Sequence, residues 1–317
     1  MEQKEIQGRR VVFQQKGVVA VEEFKLRQPE PNEVLIRTVS TLISTGTETA
    51  FLMALPNTPG VFPQYSGYSN AGIVDSAGTK VSQLRVGDRV VSRGHHASYV
   101  LATEDTILKI PDGTSFDEAT FFALSSIALQ GIRKAHIELG DSVVVLGQGL
   151  VGLLALQLAK LSGAMPVIGI DLYNYRLSIS LKHGADHVLN PLKVDLEKEM
   201  NKVIDGKGVS VVIEATGNPK VILTAFKLAG DYGRVILLGS PRGDTEVNFY
   251  REIHRKGISI IGAHERTRPR YESYHGWWTQ KDDSSLVLKL LSRGLLRVRD
   301  LITLKMVFKR HRKRTGD

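Results

Sequence analysis

The sequence predicts an α/β protein of two units, a β-rich domain and a doubly wound parallel sheet. Three observations carry that prediction. A chain of 317 residues has room for about two domains at roughly 150 residues each. Up to about residue 110 it consists of short branched runs broken by Gly, Pro, Asn and Asp, the punctuation of a β-rich unit. Over roughly the next 120 residues apolar strands alternate with segments of helical period, as in a parallel sheet covered on both faces.

The elements follow in order. Residues 10–14, 33–40, 71–76, 88–92 and 98–102 read as strands, and Pro111-Asp112-Gly113 as a turn in which proline presets φ and glycine allows φ > 0. From Phe116 the period becomes helical, with Ser115 as N-cap. Strands are then expected at 142–146, 167–170, near Val188, and at 209–214, 234–238 and 258–262. Helices at 151–161, 175–183, 196–203 and 219–229 separate them. One more helix, 284–292, follows a segment of mixed character.

Composition excludes several classes. The chain has no cysteine, so disulfides, thiolate metal sites, iron–sulfur clusters and cysteine nucleophiles are ruled out. The N-terminal MEQKEIQGRR lacks an apolar core, and the apolar stretch 149–170 carries Gln157, Lys160 and Ser162. Neither a signal peptide nor a membrane span is expected, and the reading is a cytoplasmic protein. Of the net charge of +9, the last ten residues, FKRHRKRTGD, hold +4. No aromatics interleave with those charges as base stacking requires, so a solvated tail is expected rather than a nucleic-acid site.

The motif with chemical content is Gly147-Gln148-Gly149-Leu150-Val151-Gly152, a G-x-G-x-x-G that follows an apolar strand and opens a helix. Gly147 allows the tight turn, Gly149 lets the backbone approach a pyrophosphate, and Gly152 lets helix and sheet pack closely. The helix N-terminus offers free N–H groups to phosphate. Asp171 ends the next strand, near the expected ~20-residue spacing, where it accepts from ribose hydroxyls and repels a 2′-phosphate. The cofactor expected is therefore NAD, with NADP disfavoured.

With Val86-Gly87-Asp88-Arg89-Val90, the IEATGNP run at 213–219 and RVILLGS at 234–240, the chain resembles the medium-chain dehydrogenase/reductase superfamily, which includes the zinc alcohol dehydrogenases. The resemblance implies a GroES-like substrate domain (1–125, completed by 265–317) and a Rossmann domain between (126–264). It also implies that Thr216, Gly217, Leu238, Gly239 and Ser240 lie near the nicotinamide, and that a homodimer forms through the segment 236–248. A narrower resemblance, to a branch related to the bacteriochlorophyllide-type dehydrogenases, rests on Ser44-Thr45-Gly46-Thr47-Glu48, Gly67-Tyr68-Ser69-Asn70-Ala71-Gly72 and Gly94-His95-His96.

The zinc pattern is broken. Where the zinc enzymes carry a cysteine, a Gly-His-Glu and a second cysteine, this chain aligns Ser44, Gly67-Tyr68-Ser69 and a position near Ala123. Serine, tyrosine and alanine make no zinc site, so no metal is expected. Proton movement and oxyanion stabilisation then fall to side chains. The candidates are Glu48 as acid/base, Tyr68 as hydrogen-bond donor, His96 on the cleft side of a loop it shares with His95, and Ser44. Glu48 with one or both histidines could in principle form a noncysteine metal site, the alternative to the metal-free expectation. Ser125 and Ser126 read first as helix caps and second as members of a proton relay, and Trp277 and Trp278 as walls of an apolar pocket or as core.

The function expected is hydride transfer between NAD(H) and an alcohol or carbonyl compound without zinc. The alternatives are an NADPH-dependent quinone or enoyl reductase and a silent nicotinamide-binding module. After Leu301-Ile302-Thr303 the chain departs from the family pattern and reads like a truncated or frame-shifted terminus.

Overall fold

The computed structural model describes residues 5–307. The basic tail, residues 308–317, and residues 1–4 lie outside the described residues.

The N-terminal part contains β1 (Ile6–Gln15), β2 (Val18–Leu26), β3 (Glu33–Thr41), α1 (Thr45–Leu52), β4 (Gln64–Tyr65), β5 (Asn70–Ala77), β6 (Arg89–Ser92), β7 (Tyr99–Thr103) and β8 (Leu108–Lys109). They form two antiparallel sheets, ordered β2-β1-β4 and β7-β3-β5-β6-β8. This is the GroES-like β domain. Two elements escape the sequence pattern. Strand β2 is an edge that buries almost nothing, so alternation leaves little trace in it. Helix α1 is built from TGTETAFL, whose apolar residues define no clear stripe.

The helical period from Phe116 yields two helices, α2 (Phe116–Ala119) and α3 (Phe122–Ala135). Ser115 caps α2 in a capping box with Glu118, as its sequence position predicts. The expected domain boundary after residue 125 falls inside α3. For the same reason Ser125 and Ser126 are not caps; they sit within that helix, whose N-cap is Phe121.

The alternating region follows as β9 (Val143–Leu146), α4 (Leu150–Leu161), β10 (Val167–Ile170), α5 (Asn174–Lys182), β11 (His187–Leu189), α6 (Leu196–Val203), β12 (Val209–Glu214), α7 (Pro219–Leu228), β13 (Ala229–Leu237), α8 (Phe249–Glu252), β14 (Ser259–Gly262) and α9 (Gln280–Ser292). The six strands pair in parallel in the order β11-β10-β9-β12-β13-β14, the doubly wound Rossmann arrangement. Strands β9 and β10 are buried along their whole length, each Val, Leu or Ile there contributing about 1.5–3 kcal/mol. The sheet's two edges are β11 and β14. Ile236 and Leu238, at the start of the segment expected to join two subunits, are buried inside the chain's own core.

One core runs through both domains, joining Ala71 and Val91 of the β domain to α3, β9 and α4. The chain's return after β14 is pinned to α3 by buried charges. Asp283 on α9 bonds Arg133 at 2.7 Å and Arg268, whose guanidinium also reaches the Ser126 carbonyl at 2.6 Å. Trp278 lies under Arg133, 3.6 Å from guanidinium carbon to ring centroid, and Trp277 under Lys134 at 5.5 Å. Both tryptophans therefore stack on cations of α3. Among the described residues no helix is long and apolar enough to cross a membrane.

Candidate active site

The glycine turn takes the form its spacing requires. Gly147 has φ of +88°, and a Cβ on Gly152 would stand 1.8 Å from the Gly147 carbonyl oxygen. At Gly149 a Cβ would meet nothing within 4 Å. Gly149 is the N-cap of α4, and no side chain caps that helix, so no cap competes with a phosphate for its first N–H groups. Leu150 and Val151 form its first turn, half-buried. This cradle fits a pyrophosphate.

Asp171 does more than end a strand. Its Oδ2 accepts from the Gln148 amide at 2.7 Å and its Oδ1 from the Tyr173 amide at 2.9 Å, while Arg176 stands 3.5 Å away. The carboxylate thus ties the first turn to the second strand, and Oδ1, with one donor, keeps a lone pair for a ribose hydroxyl. The Gln148 side chain turns inward, donating to the Val145 carbonyl at 2.7 Å and accepting from Ser180 at 2.9 Å. Only its backbone faces the turn.

The second pair of cofactor loops is organised by Glu214, which the sequence reading passed over. Its carboxylate accepts from the Thr216 amide at 2.7 Å and from the Thr216 hydroxyl, and its carbonyl accepts from the Leu238 and Gly239 amides at 2.9 and 2.7 Å. Burial pushes its carboxyl above the usual range against those donors. Gly217 takes φ of +68°, and a Cβ there would stand 2.7 Å from the Ser240 carbonyl oxygen. Thr216, Gly217, Gly239 and Ser240 therefore gather as one rim, with Leu238 pointing away against Gly131. Across the cleft mouth, Asn57 donates to the Pro241 carbonyl at 2.8 Å and Arg242 to the Asn57 carbonyl at 3.0 Å.

On the substrate side, Ser44 is the N-cap of α1 and Glu48 sits in its first turn, where a carboxylate suits the positive end of the helix dipole. Glu48 Oε1 accepts from the Ser44 amide at 2.7 Å, and Oε2 lies 2.9 Å from His96 Nε2. His96 Nδ1 is 2.8 Å from the Thr41 hydroxyl. Both members of the pair are buried, their side chains 10% and 5% exposed. Gly67 makes room for them, since a Cβ there would strike His96. The neighbouring His95 is exposed and bonds the Gly67 carbonyl at 3.1 Å. Burial raises the Tyr68 phenol above its ordinary pKa, and hydrogen bonds with the Ser44 and Thr47 side chains pull it part of the way back. Ser44, Glu48, Tyr68 and His96 are thus brought together as expected, with Thr41 and Thr47 added. Thr47 lay in view inside the S-x-G-T-E run; nothing in the sequence marked Thr41.

Zinc does not fit this donor set. Among the described residues no group of three or more His, Asp or Glu side chains converges, and the one carboxylate and one imidazole that meet are bonded to each other.

Two family models match the chain: the alcohol dehydrogenase GroES-like domain over residues 30–112 and the zinc-binding dehydrogenase domain over residues 151–279. Among curated relatives, D-guloside 3-dehydrogenase of Escherichia coli K12 is 31% identical over 235 residues, 73% of this chain and 67% of the relative. L-threonine 3-dehydrogenase of Pyrococcus horikoshii is 30% identical over 321 aligned positions, covering 89% and 86%. Among solved structures, galactitol-1-phosphate dehydrogenase from Escherichia coli superposes with a TM-score of 0.80 at 20% identity, over 92% of this chain and 91% of that one. With the Rossmann sheet, the glycine turn and the GroES-like domain in this order, the chain belongs to the zinc-type alcohol dehydrogenase-like branch of the medium-chain dehydrogenase/reductase superfamily.

Proposed function

We propose that the protein is an NAD(H)-dependent oxidoreductase that interconverts an alcohol and a carbonyl compound without catalytic zinc. The observation that carries this reading is the buried Glu48–His96 pair beside Tyr68, where relatives are expected to hold their metal. The turn 147–152 and Asp171 would hold the dinucleotide, and the rim of Thr216, Gly217, Gly239 and Ser240 its nicotinamide end. When bound, the nicotinamide supplies the hydride acceptor or donor.

The rest falls to side chains. Tyr68, kept as a phenol by burial, donates to the substrate oxygen and is hydrogen-bonded to the Ser44 and Thr47 side chains, while the Ser44 amide donates to Glu48. His96 is hydrogen-bonded to Glu48, and Thr41 holds the far ring nitrogen. Self-association through the sheet edge would use β14. The cytoplasm is the compartment we assign.

Calorimetric titration with NADH and NADPH, on protein of measured metal content, tests the reading. Tighter binding of NADH to metal-free protein, with turnover on an alcohol panel, supports it. Tighter binding of NADPH favours a quinone or enoyl reductase. Binding without turnover favours a silent nicotinamide-binding module.

A further inference from the structure

One charge at this site has no task in the scheme above. Arg93 directly follows β6, where Val90 packs into the β-domain core with Val34, Ile36 and Val74. Val91 points the other way, into the core shared with α3. Side chains alternate along a strand, so Arg93 continues on the Val91 side, toward the other domain. Its guanidinium carbon lies 6.0 Å from the ring centroid of Phe122, next in sequence to Ala123, near which the resemblance places the last metal-binding cysteine of the zinc enzymes. Its Nη1 donates to Glu265 at 2.8 Å, and Glu265 is near enough to Tyr68 to act on its phenol.

Its Nη2 is sealed from solvent and has no hydrogen-bond partner. A buried donor on a cation that forgoes both water and a partner calls for explanation, and a ligand oxygen would satisfy it. Glu265 is bonded at Nη1, which leaves Nη2 to receive an oxygen.

We propose that Arg93 holds the reacting oxygen of the substrate and supplies, as a fixed cation, the charge stabilisation expected of a metal ion in zinc-dependent relatives. This rests on the oxidoreductase reading above. In alcohol oxidation the C–H electron pair leaves as hydride to the nicotinamide. The O–H proton passes to Tyr68 as Tyr68 releases its own toward Glu48. The carbinol oxygen becomes the carbonyl oxygen, and Nη2 donates to it while negative charge develops there. Reduction runs the same steps in reverse.

The test loads wild type, Arg93→Met, Arg93→Lys and Glu265→Gln with NAD⁺ and titrates each calorimetrically with two probes. One is 2,2,2-trifluoroethanol, whose only oxygen is a carbinol; the other is propionate, which has a carboxylate and no carbinol. The expected result is trifluoroethanol binding to wild type, Arg93→Lys and Glu265→Gln, at least ten-fold weaker binding to Arg93→Met, and equal NAD⁺ affinity in all four. Equal trifluoroethanol affinity in wild type and Arg93→Met overturns the proposal, as does its failure to bind NAD⁺-loaded wild type. A parallel loss in Glu265→Gln also overturns it, making Arg93 a strut for Glu265. Propionate alone depending on Arg93 overturns it in favour of a carboxylate-reading role. Absence of NAD⁺ binding by wild type refutes the oxidoreductase reading itself, a failure visible before either probe is added.

Discussion

His96 Nε2 lies 2.9 Å from the Glu48 carboxylate, inside a protein interior that almost excludes water from both. The pair joins the first turn of α1 to the loop before β7, elements that share no sheet ladder. At this distance a carboxyl and an imidazole can pass a proton between them, the acid/base role proposed above for this pair. Glu48→Gln keeps the acceptor for the Ser44 amide while removing the charge. It should lower kcat by roughly 10²–10⁴-fold, the usual range for general acid–base catalysis, and leave NADH affinity unchanged. Steady-state kinetics beside calorimetry separates the two effects. An unchanged kcat would remove Glu48 from the mechanism.

Two glycines three positions apart should behave differently. Gly149→Ala adds a methyl into open space, so the fold should hold while the approach to pyrophosphate is blocked. We expect NADH affinity to fall at least about ten-fold, a loss of roughly 1.4 kcal/mol or more, with an unchanged thermal midpoint. Gly152→Ala would drive a Cβ into the Gly147 carbonyl, and it should lower both thermal midpoint and NADH affinity. Equal NADH binding by Gly149→Ala and wild type would contradict the assignment of the turn.

His183, at the end of α5, is buried, and neither ring nitrogen has a hydrogen-bond partner. Burial lowers its pKa, helped by the nearby Arg297, against the opposing pull of Asp300. The unfolded chain therefore takes up this proton more readily than the folded one. The contribution to stability is full above the ordinary histidine pKa of about 6.5 and is lost as pH falls through the lowered folded value. Urea unfolding at pH 8 and pH 5 should show wild type losing more stability than His183→Leu over that interval. Equal losses would show that His183 does not contribute.

Asp283 is almost fully buried between Arg133 and Arg268. Burial raises its carboxyl and the two guanidiniums lower it, with the net effect upward. Asp283→Asn leaves Arg268 buried without its counter-charge and should cost about 3–5 kcal/mol in chemical denaturation. The dinucleotide turn is built from other elements, so NADH affinity of the folded fraction should persist. A cost below about 1 kcal/mol, the range of exposed pairs, would mean that water reaches the network.

The parts legible in the sequence are those set by local pattern. Strands β9 and β10 appear as apolar runs because both their faces are covered, and the glycine turn shows because each glycine answers a backbone requirement at fixed spacing. Ser115 announces α2 because a cap acts over three residues. Strand β2 stayed hidden because an edge strand buries too little to impose alternation. The sequence alone thus determined the order of domains, the dinucleotide turn and the candidates Ser44, Glu48, Tyr68 and His96. Only the tertiary structure decided that His96 rather than His95 meets Glu48, that Glu214 ties two cofactor loops together, that Gln148 turns inward, and that Arg93 ends beside Glu265 with a nitrogen unpaired. Apart from the Thr216–Glu214 and Gln148–Val145 bonds, these are contacts between residues tens to more than a hundred positions apart. Hydrogen bonding and burial act through space, and periodicity along a chain carries no record of them.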